Sequence, residues 1–207
     1  MDIIGNPVLI VVDIQGGAVD RDESRTEIPS MGGRQERVPR VRELIAACRE
    51  KGVPVVFFQE VHKPDLIDIG RELDGAEGPH CIEGWEDTEL AAHIDPRPDE
   101  FLIRKRRYSA FFGTELEIVL KAYKADTLLL IGGLTDVCVH YTAVDAHQHD
   151  YRFRVLTDAV GGSSLEAHTA ALRAMEYLQR DSLVTTAEVR DWLDSAELPV
   201  REPELVR

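Results

Sequence analysis

The sequence predicts a three-layer α/β/α sandwich built on a parallel sheet. Six short apolar runs, rich in β-branched residues, alternate with longer amphipathic stretches. Runs of this kind are typical of strands buried on both faces of a parallel sheet, and the intervening stretches are typical of the helices that cover it. The 207 residues suffice for one sizeable core, so we expect a single domain over residues 1–207.

The predicted strands and helices follow one another in a regular order. The strands are expected at Val8–Val12, Val53–Phe58, Phe101–Ile103, Thr127–Ile131, Phe153–Leu156 and Leu183–Thr185. The helices are expected at Arg40–Lys51, Glu115–Lys124, Cys138–His149 and Ser164–Arg180. Gly52 is placed to end the first helix, and Ser163 and Ser164 are good N-cap residues for the last one.

Three segments lack a sustained periodicity and are predicted to be irregular. Gly16–Arg37 is polar, and Val61–Pro98 is rich in Gly, Pro, Asp and Glu, so both are expected to cross the edge of the sheet as loops. Irregular connections of this length in a compact domain usually form lids or binding loops. The charged segment Leu198–Arg207 is expected to be a tail that packs on a partner subunit or remains loose.

The composition excludes several classes of partner. With 38 acidic against 24 basic residues and a net charge of −14, the averaged field repels nucleic acid and anionic lipid. The three cysteines, Cys48, Cys81 and Cys138, form no CxxC pair and are too few for a disulfide framework, which fits a reducing compartment. The first apolar run has no basic segment before it and meets Asp13 long before it could span a bilayer. We therefore expect a cytoplasmic protein that binds neither nucleic acid nor membrane.

Three chemically reactive side chains fall at the same end of their predicted strands. Asp13 ends the first strand, Lys105 lies just past the third, and Cys138 begins the helix after the fourth. In an open parallel sheet, the carboxyl ends of the strands form the crevice where ligands bind. We therefore expect the three side chains to converge in one site that takes a small-molecule substrate.

The chemistry of these residues is that of a cysteine nucleophile with a proton carrier. The glycine turn before Cys138 places its thiol in the first helical turn, where the helix dipole and the Lys105 ammonium favour the thiolate. Unpaired N–H groups at a helix start can hold the oxyanion formed when a carbonyl is attacked. Asp13 can take the thiol proton, pass it to a leaving amine and later activate water. The alternative is that the three are a core cysteine, a cap at a strand end and a surface lysine.

Three motifs around these residues carry a family resemblance. Val11–Gln15 ends an apolar strand in an acidic residue, Lys105–Phe111 has Lys, Ser and Phe at a recurring spacing, and Gly132–Val139 reads GGLTDVCV. In these motifs the sequence resembles the isochorismatase-like hydrolases, also called cysteine hydrolases. The resemblance extends over roughly Pro7–Ser182. That superfamily includes nicotinamidases, carbamoylsarcosine and ureidoacrylate amidohydrolases, and biuret hydrolases.

The resemblance implies a fold, a set of catalytic roles and an assembly. The implied fold is an isochorismatase-like, Rossmann-like sandwich with a six-stranded parallel sheet, and the family's catalytic roles map to Asp13, Lys105 and Cys138. A cis peptide bond is implied between Gly133 and Leu134, with the N–H groups of Leu134 and Cys138 forming the oxyanion hole. A homodimer or homotetramer is implied as well.

The histidines raise the question of a metal. Nicotinamidases of this family bind one through an Asp-x-His pair and a later His, and Glu60, His62 and His80 stand at those places here. Because a glutamate replaces the aspartate and no further histidine follows soon after His62, we expect no metal and no other cofactor. His62 and His80 would then donate hydrogen bonds to the substrate or support the loop.

The expected substrate-binding residues are Gln15, His62, Trp85, Phe111 and Tyr141. The residues expected at the surface or at subunit contacts are His140, His147, His149 and His168.

The predicted function is hydrolysis of a C–N bond in a small amide or ureido compound through a thioester on Cys138. One alternative is an isochorismatase-type vinyl ether hydrolase, which does not need a thiol nucleophile. A nicotinamidase is the alternative if a metal is bound. A third is a catalytically idle family member that serves as a binding partner.

Overall fold

The computed structural model describes residues 3–16 and 28–198, and its centre is one sheet of six parallel strands. The strand order is β3-β2-β1-β4-β5-β6. The strands are β1 Pro7–Val12, β2 Val55–Glu60, β3 Phe101–Lys105, β4 Thr127–Gly133, β5 Arg152–Gly161 and β6 Leu183–Val184. The chain leaves β1 toward β2 on one side, and β4 pairs with β1 on the other, so a crevice opens at the carboxyl ends of β1 and β4. The predicted six-stranded parallel sheet is confirmed.

Helices cover both faces of the sheet. They are α1 Arg34–Glu50, α2 Leu116–Ala122, α3 His140–Gln148, α4 Leu165–Leu178 and α5 Thr186–Ser195. The apolar faces of α1 and α5 bury one side of the sheet, and those of α2, α3 and α4 bury the other. Alternate residues of β1 point into the two cores, since Leu9 and Val11 pack with α1 while Val8 and Ile10 pack with α2. The three-layer arrangement is therefore the one the sequence predicts.

Two predicted boundaries were wrong by five residues or more. Helix α1 begins at Arg34, six residues before the predicted start and inside the segment predicted to be a loop to Arg37. It continues through Pro39 because its buried face begins at Val38, and packing outweighs the one hydrogen bond that a proline removes. Strand β5 runs to Gly161, five residues beyond the predicted end at Leu156.

Helix α5 was not predicted. It begins with a capping box in which the Thr185 hydroxyl accepts from the Glu188 N–H and the Glu188 carboxylate accepts from the Thr185 N–H. The pattern Thr-x-x-Glu ahead of Val189 and Leu193 is visible in the sequence, so a search for capping boxes would have found the helix.

The predicted loop over the sheet edge is confirmed for residues 61–98, which contain only two short 3₁₀ turns, Glu72–Asp74 and Glu86–Thr88. Bridges from Gln15 to Leu90 and from His62 to Ile82 tie this loop to the strand ends. Residues 17–27 of the other predicted loop lie outside the described residues, as does the predicted tail beyond Leu198. Among the described helices, none has the length and apolar character needed to cross a lipid bilayer.

Candidate active site

The carboxyl ends of four adjacent strands bring the reactive side chains together. Asp13 follows β1 with a left-handed backbone (φ 47°), and Glu60 and Lys105 are the last residues of β2 and β3, where they pair in register. Cys138 lies in a π-helical turn, Thr135–Val139, just after β4. The shared position at one edge of the sheet follows from the parallel topology, and it places all four side chains beside the crevice between β1 and β4.

The Lys105 ammonium is the centre of this group. Its Nζ atom lies 2.7 Å from Asp13 Oδ2 and 3.5 Å from Cys138 Sγ, and it donates a short hydrogen bond to Glu60 Oε2. The Lys105 side chain is fully buried. The structure therefore brings Asp13, Lys105 and Cys138 into contact, as the sequence analysis expects of a catalytic set.

Glu60 is a member of the group that the sequence analysis considered only as a metal ligand. Its Oε2 atom contacts Lys105 and lies 3.7 Å from Cys138 Sγ, while its Oε1 atom lies 3.2 Å from His80 Nε2 and 3.5 Å from His62 Nε2. One carboxylate thus joins the thiol and ammonium to a pair of buried histidines. Its place at the end of β2, level with Lys105, was the signal that could have revealed it.

Burial and charge set the protonation states of the site. Burial raises the pKa of Asp13 to about 6, and the Lys105 ammonium only partly offsets this. Burial alone would lower the pKa of Lys105, but Asp13, Cys138 and Glu60 raise it well above its ordinary value. Burial alone would raise the pKa of Glu60, but Lys105 and the histidine contacts lower it well below its ordinary value. The site therefore holds an ammonium beside an ionised Glu60 and a carboxyl group, Asp13, that titrates near neutrality.

The thiol differs from the sequence expectation. Burial raises the pKa of Cys138 well above its ordinary value, against the opposing effect of Lys105, and the Asp13 and Glu60 carboxylates raise it further. The resting group is therefore a thiol, because burial and two carboxylates outweigh one ammonium and a helix start. A thiol that is to act as a nucleophile must lose this proton to a base, and the Asp13 carboxyl group is the neighbouring group that titrates near neutrality.

The turn that carries Cys138 has an unusual backbone. The peptide bond between Gly133 and Leu134 is cis, as the resemblance implies, and the Leu134 carbonyl accepts from the N–H groups of Val137 and Val139. Leu134 and Cys138 both line the cavity described below, where the predicted oxyanion hole requires them. Short π-helical turns are frequent at functional sites.

Helix α4 and its N-terminal loop hold this turn in place. His168 Nδ1 lies 2.9 Å from Thr135 Oγ1, and the Asp136 carboxylate accepts hydrogen bonds from the N–H and hydroxyl of Ser163. His168 was expected at the surface or at a subunit contact, and that expectation was wrong, because the side chain is buried between α4 and the turn. The turn that carries Cys138 is thus held by side chains from a different part of the chain.

A cavity of about 200 Å³ opens beside the thiol. Its volume suits a small organic substrate. Asp13, Glu60 and Cys138 form one part of the wall, the loop 61–98 forms another, and the first turn of α1 closes the remaining side. The wall residues that the sequence analysis missed include Arg34, Arg37, Glu77, Cys81 and Asp87.

The five predicted substrate-binding residues differ in their positions relative to the cavity. Gln15 lines the cavity, but its amide already donates to the carbonyls of Glu60 and Thr88. The other four are not among the residues that line the described cavity, and their role in substrate binding stays a prediction. His62 is buried among carboxylates, Trp85 is exposed, Phe111 stacks on His149, and Tyr141 is half exposed and stacks on Tyr108. Aromatic residues near a sheet edge pack on one another as readily as on a ligand, and the sequence does not distinguish the two.

Four buried side chains form a cluster next to the site. Glu60 and Glu72 each supply one oxygen, and His62 and His80 each supply Nε2. The four histidine-to-carboxylate distances are 3.1, 3.2, 3.5 and 3.5 Å. Ligands of a tetrahedral zinc ion, each 2.0–2.2 Å from the metal, are spaced by about 3.3–3.5 Å.

The cluster therefore fits a divalent metal ion. Among the described residues, the ring nitrogens of His62 and the carboxylate oxygens of Glu72 are buried without an aligned hydrogen bond. Without a metal, the carboxylate contacts overcome burial and raise the pKa of His62 to about 9 and that of His80 to about 10. Two imidazolium–carboxylate pairs are then the alternative to a metal, and the expectation of no metal stays a prediction.

Comparison with known proteins points to one family. The family model described as the isochorismatase domain matches residues 7–189. The ureidoacrylate amidohydrolase RutB of Methylobacterium radiotolerans is 30% identical over 191 residues, which cover 81% of this chain and 72% of that protein. The nicotinamidase PncA from Bacillus subtilis aligns with a TM-score of 0.73 and 27% identity over 87% of this chain and 100% of that one. An isochorismatase-like hydrolase from Alkaliphilus metalliredigens shares the fold, with a TM-score of 0.77 and 24% identity over 91% of this chain and 100% of that one.

Proposed function

The chain belongs to the isochorismatase family and is a hydrolase acting on carbon–nitrogen bonds, and we propose that it uses Cys138 to cleave a small amide or ureido compound. One observation carries the proposal. A single buried ammonium, Lys105, contacts both the Asp13 carboxylate and the Cys138 thiol at the wall of a small cavity. The relatives named as ureidoacrylate amidohydrolases and nicotinamidases support an amide or ureido carbonyl as the group attacked.

In the first half-reaction, Asp13 accepts the thiol proton while Cys138 Sγ attacks the carbonyl carbon. The carbonyl oxygen becomes an oxyanion that the N–H groups of Leu134 and Cys138 stabilise. When this intermediate collapses, the C–N bond breaks and the amine or ammonia leaves with the proton that Asp13 carried. A thioester remains on Cys138, and Asp13 is again a carboxylate.

The second half-reaction returns the enzyme to its resting state. Asp13 takes a proton from water, the water oxygen attacks the thioester carbon, and the C–S bond breaks. The sulfur regains the proton from Asp13, and the acid product is released. Lys105 stays charged throughout, and its contact with Sγ stabilises the thiolate form at each step.

Replacement of the nucleophile tests this mechanism. We expect Cys138→Ser to lower kcat by at least about 10³-fold without a change of fold, because an alcohol is a far weaker nucleophile here than a thiol. The assay is ammonia release from nicotinamide, biuret, carbamoyl amino acids and ureidoacrylate-like amides, with circular dichroism to check folding. Cys48→Ala, which alters a thiol on the buried face of α1, is the control and should retain kcat.

Two results would count against the proposal. A rate that persists in Cys138→Ser would favour vinyl ether hydrolysis, which needs no thiol. No turnover of any amide by the unsubstituted chain would favour a catalytically idle binding protein.

A metal-assisted nicotinamidase is a second candidate, which the cluster of Glu60, His62, Glu72 and His80 favours because His80 also lines the cavity. These four side chains would hold the ion, and a bound metal would supply a Lewis acid beside the substrate. If this candidate is correct, nicotinamide hydrolysis is lost after chelation and returns with zinc. A metal-free enzyme should keep its turnover after chelation.

A further inference from the structure

The segment that follows Lys105 packs against the helix that follows Cys138, and the mechanism uses neither. We call residues 108–111, which come soon after the end of β3, the lysine turn. Helix α3 continues directly from the π-helical turn that carries Cys138. Contacts between the lysine turn and α3 therefore connect the part of the chain that holds the ammonium to the part that holds the thiol.

Every residue of the lysine turn contacts α3 or the residue just after it. Two of the contacts are stacked rings, with centroids 5.9 and 5.0 Å apart, and two are hydrogen bonds, of 2.5 and 2.9 Å. The contacted residues are Tyr141, Thr142, Asp145 and His149. Residues three or four apart lie on one face of a helix, so the turn packs along a single face of α3.

Ser109 makes a charge-assisted hydrogen bond across this contact. Its hydroxyl donates to Asp145 Oδ2 at 2.5 Å and accepts from the Phe111 N–H at 3.2 Å. Ser109 is buried, and Asp145 is half-buried. A hydroxyl bound to a carboxylate at this distance forms a bond about twice as strong as one between neutral groups. One hydroxyl thus closes the lysine turn and fastens it to α3.

The sheet alone connects Lys105 to Cys138 only indirectly. Strand β3, which ends in Lys105, is at the edge of the sheet, and two strands, β2 and β1, separate it from β4, which precedes Cys138. The contact of the lysine turn with α3 bypasses those strands. Lys105 Nζ lies 3.5 Å from Cys138 Sγ, and a misplacement of about 1 Å in such a site can cost about 10²-fold in rate.

We propose that Ser109 and Asp145 are positioning residues, whose hydrogen bond holds Lys105 against the Cys138 thiol. The inference goes beyond the proposed function and rests on it for the role of the thiol. Neither residue is among those that line the described cavity, so the bond acts on the reacting atoms and not on substrate binding. When the bond is lost, the lysine turn and α3 can move apart, and the ammonium stabilises the thiolate less.

Kinetics of variants at both ends of the bond test the proposal. Ser109→Ala and Asp145→Ala should each lower kcat for ammonia release about 10- to 100-fold with little change in KM. The double variant should be no slower than either single one, because all three lack the same bond. Asp145→Asn, whose amide oxygen can still accept, should keep most of kcat. Thr114→Val is the matched control, since the Thr114 hydroxyl donates to the Ala110 carbonyl in a bond that does not involve α3, and it should retain kcat.

Alkylation by iodoacetamide measures the state of the nucleophile without turnover. The rate is followed at pH 7.5 by mass spectrometry of the peptide that contains Cys138. Ser109→Ala and Asp145→Ala should slow this reaction, because a thiolate less stabilised by Lys105 is a smaller fraction of the thiol. Asp145→Asn and Thr114→Val should react at nearly the rate of the unsubstituted chain. A role in stability alone would lower the urea midpoint and leave the alkylation rate of folded protein unchanged.

The outcomes separate this inference from the proposed function. An unchanged kcat in folded Ser109→Ala, a change in KM alone, or an equal loss of kcat in Thr114→Val overturns it. Losses that multiply in the double variant also overturn it. If circular dichroism shows that Ser109→Ala does not fold, Asp145→Ala takes its place, and an unchanged kcat there has the same meaning. Slower alkylation in both alanine variants, with no amide hydrolysed by the unsubstituted chain, supports the positioning role and counts against the proposed function.

Discussion

At the scale of single residues, the site is a balance of charges around one buried ammonium. Lys105 lies between the carboxylates of Asp13 and Glu60 and also contacts the Cys138 thiol. Because the two carboxylates have different surroundings, their pKa values move apart, with Glu60 held ionised and Asp13 raised to about 6. In the proposed mechanism, two acids whose pKa values differ in this way take different roles: Glu60 holds Lys105 in place, and Asp13 carries the proton.

The pH dependence of the reaction follows from Asp13. Only its ionised form can accept the thiol proton, so kcat/KM should fall about tenfold per pH unit below pH 6 and level off above it. Asp13→Asn should lower kcat/KM by about 10²- to 10⁴-fold across the range, since the proton acceptor is lost. Asp150→Asn, an exposed position, is the control and should keep the wild-type profile. An acid limb centred near pH 4, the ordinary value for an aspartate, would contradict the assignment.

Sequence patterns located the reactive residues but not their environment. Asp13, Lys105 and Cys138 could be predicted because each lies at the carboxyl end of a strand, and strand ends are readable from apolar runs. The state of the thiol could not be predicted, because it depends on burial and on Glu60, which only the pairing of β2 with β3 brings to Lys105. Arg34 and Arg37 were missed for a similar reason, since their helix was expected to begin after them.

At the scale of elements, close approach of β1 and β4 shapes the crevice. Gly132 in β4 has φ of 120°, and a Cβ atom there would lie 1.9 Å from the Val12 carbonyl oxygen of β1. The cis peptide bond between Gly133 and Leu134 and the π-helical turn that carries Cys138 follow directly. A glycine at this point therefore lets the sheet hold its pairing while the chain turns toward the cavity.

A pair of glycine substitutions tests this role. Gly132→Ala should lower the free energy of unfolding by more than about 3 kcal/mol, because both the backbone conformation and the contact with β1 oppose a side chain. Gly52→Ala also places a side chain on a left-handed backbone, but a Cβ atom there would meet no other atom within 4 Å, so a loss of about 1 kcal/mol is expected. Urea denaturation measures both. Equal losses would mean that close packing of β1 against Gly132 contributes nothing.

Element boundaries were predictable where apolar residues mark them and not where polar residues take structural roles. The continuous apolar run of β5 stops at Leu156, yet the strand goes on until Val160 and Gly161 pair with Gly132 and Gly133 of β4. Asp158, within this extension, accepts hydrogen bonds from the N–H and hydroxyl of Thr186 at the start of α5. A polar residue that serves a distant helix cannot be told from a loop residue in the sequence alone.

At the scale of the whole molecule, the cluster of two glutamates and two histidines joins the loop 61–98 to the sheet. Glu60 ends β2, whereas His62, Glu72 and His80 come from the loop, which also supplies part of the cavity wall. Packing of the loop on the sheet therefore depends on whether these four residues bind a metal or form ion pairs. Without a metal, the raised pKa values of both histidines stabilise the fold fully below pH 6.5, and this stability is lost as pH rises through about 9 to 10.

Metal binding should therefore release protons. At pH 7.5 both histidines of metal-free protein are protonated, and a metal needs them neutral, so each zinc ion bound should release about two protons. Calorimetry of chelator-treated protein in buffers of different ionisation enthalpy measures this number. Zinc-loaded protein should also keep its unfolding temperature between pH 7 and 10, where metal-free protein loses stability.

Glu72→Gln should weaken zinc binding, whereas His147→Asn, an exposed control, should not. Absence of zinc binding, or binding without proton release, would mean that the four residues are a network of ion pairs that fastens the loop to the sheet.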